Sequence, residues 1–127
     1  MPNYSNVVIA GNLAAEPELK YTPNGKAVVE LTMAVSRRWQ DSDGVLQEHK
    51  SYIAVVFWGS KAESLAKYCV KGRALLVDGW LEQKRWKDKK GAYRSTIKVM
   101  GENYEFVDSN NSPYLDKLRK KRDGVAE

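Results

Sequence analysis

The sequence predicts an all-β domain, a five-stranded barrel with one short helix between the third and fourth strands. Three observations lead to this fold class. The dominant hydrophobic period is two, which is typical of half-buried strands. Gly, Asn, Pro and Asp divide the chain into short segments, as turn-forming residues do. A single segment, residues 60–71, has helical spacing instead and lies between the third and fourth predicted strands.

Each predicted strand is a short segment in which apolar residues occupy one or both faces. In the second strand Val29 and Leu31 share one face, and Glu30 lies on the other. Two polar tips that end in glycine close hairpins between consecutive strands. The predicted strands are 7–10, 27–36, 52–58, 74–77 with 81–86 on either side of Gly79, and 93–100, and the tips are 40–44 and 87–91.

The one predicted helix begins with a capping-box pattern, in which Ser60 is followed three residues later by Glu63. Leu65 and Cys69 continue an apolar stripe at helical spacing, and Gly72 supplies the stop signal. Strands interrupted by one helix at this point have the order of an OB-fold. An SH3-like barrel would leave the capped helix unexplained, so the OB-fold is preferred.

The charge distribution indicates a polyanionic partner. The chain of 127 residues suits one domain, and its formal net charge is +5. The window 84–98 contains seven basic residues and one acid, Asp88, and it also contains Trp86 and Tyr93. Basic side chains interleaved with aromatic rings are typical of surfaces that bind single-stranded nucleic acid, since cations contact phosphates and rings stack on bases.

Four aromatic residues are candidates for base stacking. Trp39 follows two arginines beside one hairpin tip, and Trp86 lies between Arg85 and Lys87 beside the other. A tryptophan flanked by charges near a tip is hard to bury, so we expect both rings to be exposed. Tyr52 and Trp58 have apolar neighbours, and the spacing leaves open whether they lie in the core or on the surface.

The sequence gives little sign of catalysis or of a cofactor. His49 is the only histidine and has no cluster of cysteines or carboxylates with which to form a zinc site. Cys69 lies on the apolar stripe of the helix, which favours a small core residue over a nucleophile. We therefore expect neither enzymatic activity nor a bound metal. The start of the chain lacks the pattern of a signal peptide, and no run approaches the length of a membrane span, so we expect a soluble intracellular protein.

Six stretches occur in a specific order along the chain: NVVIAGNL (6–13), EPELKYTPNG (16–25), AVSRRW (34–39), VVFWG (55–59), AKYCVKG (66–72), and GWL with KRWKD (79–88). Together they closely resemble the bacterial-type single-stranded-DNA-binding protein (SSB) family over about residues 5–107. The resemblance implies OB-fold homotetramers in the cytoplasm, associated with the nucleoid. They would bind unpaired DNA with little sequence preference in replication, recombination and repair.

The resemblance also assigns roles to individual residues. The family's stacking rings fall on Trp39, Tyr52, Trp58 and Trp86. Its basic contacts fall on Lys71, Lys84 and on Arg37 or Arg38, and we add Arg85 and Lys87 from the same basic window.

The chain departs from the family pattern in three places. Glu82 replaces a residue that is often basic, and Trp80 replaces one that is usually polar, where an oligomer contact is an alternative role. Ile53 is a second apolar residue that a small barrel could leave exposed for self-association. After a domain at 1–108, residues 109–127 form a short basic tail without the family's acidic tip. The alternatives are a truncated chain and a natural tail-less form, and we favour the second, for which tail-mediated docking of repair and replication enzymes is doubtful.

Two other functions fit the same fold. One is a replication accessory protein that binds protein first and DNA second. The other is an RNA-binding or tRNA-binding OB domain, because stacking and phosphate contacts do not by themselves read the 2′-hydroxyl.

Overall fold

The computed structural model describes residues 2–107, in which six strands and one helix follow one another. The strands are longer than the sequence pattern predicts, and the helix is shorter. The elements are β1 Val7–Leu13, β2 Glu18–Tyr21, β3 Ala27–Gln40, β4 Leu46–Trp58, α1 Ser60–Tyr68, β5 Ala74–Lys87 and β6 Tyr93–Phe106.

Five of the strands close into a barrel. Neighbouring strands follow the order β1-β5-β6-β4-β3, and β1 pairs with β3 as well as with β5, so the ring has no open edge at this point. The helix lies between the third and fourth strands of the barrel, which confirms the predicted OB-fold class. The short β2 was not predicted. It pairs with β3 at Val28 and Val29, where it continues the line of β1 after a four-residue interruption.

Side chains of alternate strand residues fill the barrel. Val29, Leu31 and Met33 from β3 face the interior together with Val55 and Phe57 from β4, and all five are almost completely buried. The helix contributes Ala62, Leu65 and the adjoining Cys69 to the same cluster. The expectation that Cys69 is a core residue is therefore confirmed. A continuous apolar interior of this kind holds the barrel rigid, so that its outer surface can position functional side chains.

Two glycines, one at the predicted end of the first strand and one between two predicted strand segments, lie within continuous strands. β1 continues through Gly11 to Leu13, and β5 continues through Gly79 with an irregular register at Asp78. A Cβ atom on Gly11 would clash with the carbonyl of Ala34, and one on Gly79 would clash with that of Met100. These glycines permit close backbone approach. The prediction that the first strand ends at Gly11 was therefore wrong, and the two segments predicted on either side of Gly79 form one strand.

The helix begins and ends differently from the prediction. Its N-cap is Gly59, which has a φ of 71°, and no side chain caps the first turn, so the Ser60–Glu63 capping box is not formed. The helix ends at Tyr68, four residues before Gly72. Gly72 instead adopts a φ of 92° in a turn and donates its N–H to the carbonyl of Leu13, which ties the turn to the end of β1.

Two hairpins extend beyond the barrel. Residues 35–51 of β3 and β4 pair only with each other, and so do residues 81–98 of β5 and β6. We call them the first arm and the second arm. Because β4 and β6 are parallel neighbours at Val55 and Val99, both arms extend from the same end of this strand pair. The outer ends of both arms are exposed on both faces of the hairpin, which is unusual for strands that serve only to build a core.

The predicted tail at 109–127 lies outside the described residues. Within residues 2–107, the helix α1 is too short to cross a membrane.

Candidate nucleic-acid interface

The four predicted stacking rings all reach the surface. Trp39 in the first arm is 42% exposed and Trp86 in the second arm is 47% exposed, as their charged neighbours predict. Tyr52 and Trp58, for which the sequence left both possibilities open, are 64% and 37% exposed. Each ring therefore has area available for a base, whereas Phe57 is buried in the core and the partly buried Tyr104 and Phe106 pack against that core.

The strand register divides the predicted site between two faces. In β3 and β4, the residues with odd numbers lie on the same side of the strands as Val29 and Phe57, which face the barrel interior. We call this side the inner face. Their neighbours along each strand lie on the outer face. By the same criterion Val99 marks the inner face of β5 and β6. Arg38, Tyr52, Trp58, Lys84 and Trp86 lie on the outer face, and Arg37, Trp39, Arg85 and Lys87 lie on the inner face.

Lys71 is the one predicted cationic contact that lies on neither arm. It is in the turn after the helix, where its backbone N–H donates to a carboxylate oxygen of Glu16 at 3.1 Å. The next residue, Gly72, accepts a hydrogen bond from the side chain of Asn12. Asn12 pairs with Ala34, and Ala34 pairs with Tyr52 across the sheet. These contacts connect the turn that holds Lys71, through β1 and β3, to the part of β4 that carries Tyr52.

The second arm keeps most of its positive charge unpaired. Arg94 contacts Asp88 at 3.0 Å, and Lys98 contacts Glu30 of β3 at 2.8 Å. Within residues 2–107, none of the other five cations of the arm forms an ion pair with a carboxylate; they are Lys84, Arg85, Lys87, Lys89 and Lys90. On the first arm, Arg38 lies 3.9 Å from Glu48, and the Arg37 guanidinium lies 5.9 Å from the Trp39 ring centroid. The second arm is thus the stronger attractor for phosphates.

One cation near the rings is not predicted from the sequence. The ammonium group of Lys26 lies 5.3 Å from the centroid of the Trp58 ring. Lys26 follows the glycine of the Thr22–Gly25 turn, and its partner is on β4, so no local pattern connects the two residues. Cross-strand pairing brings them together, because Val28 is opposite Trp58.

Both arms end in the same kind of turn. Asp41 in the first tip accepts hydrogen bonds from the backbone N–H groups of Asp43 and Val45. Asp88 in the second tip accepts them from Lys90 and Ala92. Each carboxylate also accepts a side-chain hydrogen bond from the residue six positions later, Gln47 in the first tip and Arg94 in the second. The single acid of the basic window therefore shapes the tip, and isolated two-stranded ribbons need such support.

These bonds predict acid sensitivity of the arms. The pKa of Asp41 is lowered most by the hydrogen bond from the Val45 N–H and next by the bond from Gln47. The pKa of Asp88 is lowered most by the hydrogen bond from Arg94 and next by the bond from the Ala92 N–H. Above about pH 3.9, the ordinary aspartate pKa, the ionised carboxylates contribute fully to the stability of the tips. This contribution is lost as the pH falls through the lowered pKa values. We expect amide protection at Val45 and Ala92, measured by hydrogen exchange, to decrease below about pH 4 while core amides stay protected.

The control for this prediction is Asp41→Asn, which keeps an acceptor oxygen but does not titrate. Protection at Val45 should then lose its dependence on pH, while Ala92 in the other tip keeps it. Constant protection of both amides in the unaltered protein down to about pH 2 would show that the carboxylates do not hold the tips.

The described residues offer little for catalysis. Burial raises the pKa of the Cys69 thiol, which keeps it protonated and unreactive. His49 is exposed on the first arm, and no group of histidines, cysteines and carboxylates within residues 2–107 could hold a metal ion.

Residues 4–107 match the single-strand binding protein family. Among curated proteins, the chain is 36% identical to the single-stranded DNA-binding protein of Helicobacter hepaticus over 109 residues, which is 86% of this chain and 64% of that protein. It is also 36% identical to single-stranded DNA-binding protein 2 of Chlorobaculum tepidum, over 84% of this chain and 73% of that protein. The chain therefore spans just under two thirds of the length of the first relative.

Solved structures share the fold. A deletion mutant of the single-stranded DNA binding protein from Thermus aquaticus superposes with a TM-score of 0.76 at 28% identity, over 84% of this chain and 51% of that one. The Plasmodium falciparum SSB in complex with ssDNA gives a TM-score of 0.78 at 20% identity, over 85% and 98% of the two chains. The family match covers most of the chain and the barrel agrees with it, so this chain belongs to the single-strand binding protein family.

Proposed function

We propose that this protein binds single-stranded DNA with little sequence preference and protects it during replication, recombination and repair, at the nucleoid in the cytoplasm. The observation that carries the proposal is the set of four exposed rings, one of which, Trp86, lies on the basic second arm. Every base offers a π-face, so stacking on indole and phenol rings tolerates any sequence. The two curated relatives, each named as a single-stranded DNA-binding protein, support the same function.

The distribution of the rings suggests a path for the strand. OB-folds bind oligonucleotides on the face of their second and third strands and on nearby loops. In this barrel that face carries Tyr52 and Trp58, and Lys84 and Trp86 lie on the outer face of the second arm. Trp39 and Arg37 lie on the inner face of the first arm, so a strand that contacts all four rings has to cross an arm rather than follow one flat surface.

Titration with oligo-dT tests the proposal. We expect quenching of tryptophan emission and a linear fall of log affinity with log salt, by about 0.7 per neutralised phosphate. Lys84→Ala should reduce the slope by up to about one such contact, and Lys71→Ala should act in the same way. Lys67→Ala on the helix is the matched control and should leave the slope unchanged. A wild-type affinity that does not depend on salt would contradict the role of these cations.

The same titration separates DNA from the other candidate ligands. Displacement of poly-dT by poly-rU that is only weak would identify DNA as the preferred partner. Equal competition would favour the RNA-binding alternative. Absence of binding to either polymer would favour an accessory protein whose partner is another protein.

We also propose a homotetramer, on the strength of the family resemblance and of an exposed apolar pair. Leu81 and Ile97 lie on the inner face of the second arm and are 50% and 62% exposed. Ile53, which the sequence suggested for self-association, is half-buried against the core, so it does not offer an exposed apolar surface. Exposed apolar patches of this kind are commonly covered by a second subunit.

Light scattering after size exclusion should give about four times the chain mass of 14.4 kDa. Ile97→Asp should reduce the mass, because it places a charge in the proposed contact. Thr96→Asp, on the opposite face of the same strand, should leave the mass unchanged. A monomeric wild-type protein at micromolar concentration would contradict the tetramer.

A further inference from the structure

A groove borders one of the four rings and also involves a tryptophan that the family pattern does not assign. It has a volume of about 620 Å3, within the range of small-ligand sites. Trp58 and Trp80 line it, and both indole rings are about 40% exposed. The remaining lining residues come from the turn before β3, the start of the helix and β6, and they are Lys26, Gly59, Ser60, Lys61, Gly101 and Glu102.

The sheet register places the two rings on the same surface. Trp80 on β5 is opposite Met100 on β6, and Met100 is paired with Val56 on β4. Trp58 is two residues beyond Val56 and therefore on the same outer face. Two strand spacings separate the backbones of the two tryptophans laterally by about 10 Å, with an offset of about 7 Å along β4. Indole side chains that project from such positions can contact one planar base between them or two successive bases.

The groove also carries charge suited to phosphate. The Lys26 ammonium lies over Trp58, at 5.3 Å from the ring centroid. On the helix side, Lys61 donates to the carbonyl oxygen of Glu102 and to the side chain of Asn103, whose amide in turn donates to Asp78. These bonds fix Lys61 at the rim of the groove. Two cations face one carboxylate, Glu102, so the net charge of the lining favours a polyanion.

We propose that this groove is a further base-binding site for single-stranded DNA, in which Trp80 stacks with a base and Lys26 and Lys61 contact the adjoining phosphates. The proposal rests on the proposed function, since Trp58 would belong both to the main path and to the groove. Trp80 thereby extends the line of stacking rings from Trp58 on β4 across β6 to β5. The bound strand would be longer by the nucleotide or nucleotides that the groove holds.

Affinity for labelled oligo-dT of increasing length tests this site. Trp80→Ala should weaken binding of long oligonucleotides by about 5- to 150-fold, the range for loss of one stacked base. The shortest oligonucleotides, which need not reach the groove, should be affected less. Trp80→Phe keeps a ring and should restore most of the affinity. Tyr68→Ala on the helix removes an exposed ring outside the groove and should bind like wild type.

Further variants distinguish failure of this site from failure of the function. Normal binding by Trp80→Ala, with weakened binding by Trp86→Ala, would overturn the groove proposal and leave the function intact. Failure of the wild-type protein to bind oligo-dT would overturn both. A change of oligomeric mass in Trp80→Ala would assign the groove to a contact between subunits and overturn the proposal. Should Trp80→Ala not fold, Lys26→Glu tests the rim: weakened binding supports the site and unchanged binding overturns it.

Discussion

Trp86→Ala is expected to weaken oligo-dT binding by about 1–3 kcal/mol, and Trp39→Ala by a similar amount. Both rings are nearly half exposed on arms that pair only with themselves, so truncation removes a stacking surface without opening a cavity in the barrel. Anisotropy of a labelled oligonucleotide is the appropriate measurement, because each substitution also removes one of the four tryptophans that report by emission.

Two controls make this result specific. Tyr68→Ala, an exposed ring on the helix, should bind like wild type, and the thermal unfolding of all variants should be similar. Phenylalanine at position 86 or 39 should retain most of the affinity, because it keeps a flat ring. Folded alanine variants that both bind like wild type would show that these rings have a structural role and that the site lies elsewhere.

Gly101→Ala is expected to lower the free energy of unfolding by about 1–3 kcal/mol, the usual cost of overpacking a core. A Cβ atom at this position would overlap the outer atoms of the Phe57 ring, which is fully buried and packs edge-on against Tyr104. The ring cannot move without disturbing that contact. Urea unfolding at one fixed protein concentration measures the change, since self-association would otherwise alter the apparent stability.

The reason for this loss can be tested with a double-mutant cycle. Phe57→Leu removes the ring atoms that the new Cβ would meet, so Gly101→Ala should cost clearly less in that background. Gly79→Ala is the matched control, because its Cβ would meet the carbonyl of Met100 whether or not the ring is present. An equal cost of Gly101→Ala in both backgrounds would mean that the ring is not the cause.

The sequence predicted the barrel, the position of the helix and the exposure of Trp39 and Trp86. These features depend on local information: alternation of apolar residues, turn-forming residues and charged neighbours. The same information failed at Gly11, because a glycine needed for close backbone contact looks the same in sequence as one that ends a strand. The missed pairing of Lys26 with Trp58 has a similar origin, since the two residues meet only across the sheet.

The sequence by itself determined where apolar and polar residues alternate, which residues are charged and which aromatic rings have basic neighbours. Only the tertiary structure decided that the arms extend beyond the barrel, that Trp39 and Trp86 lie on opposite faces, and that Trp80 shares a groove with Trp58. The physical reason is that a period of two fixes the relative faces of residues within one strand. The register between strands, which sets what each face meets, depends on closure of the whole barrel.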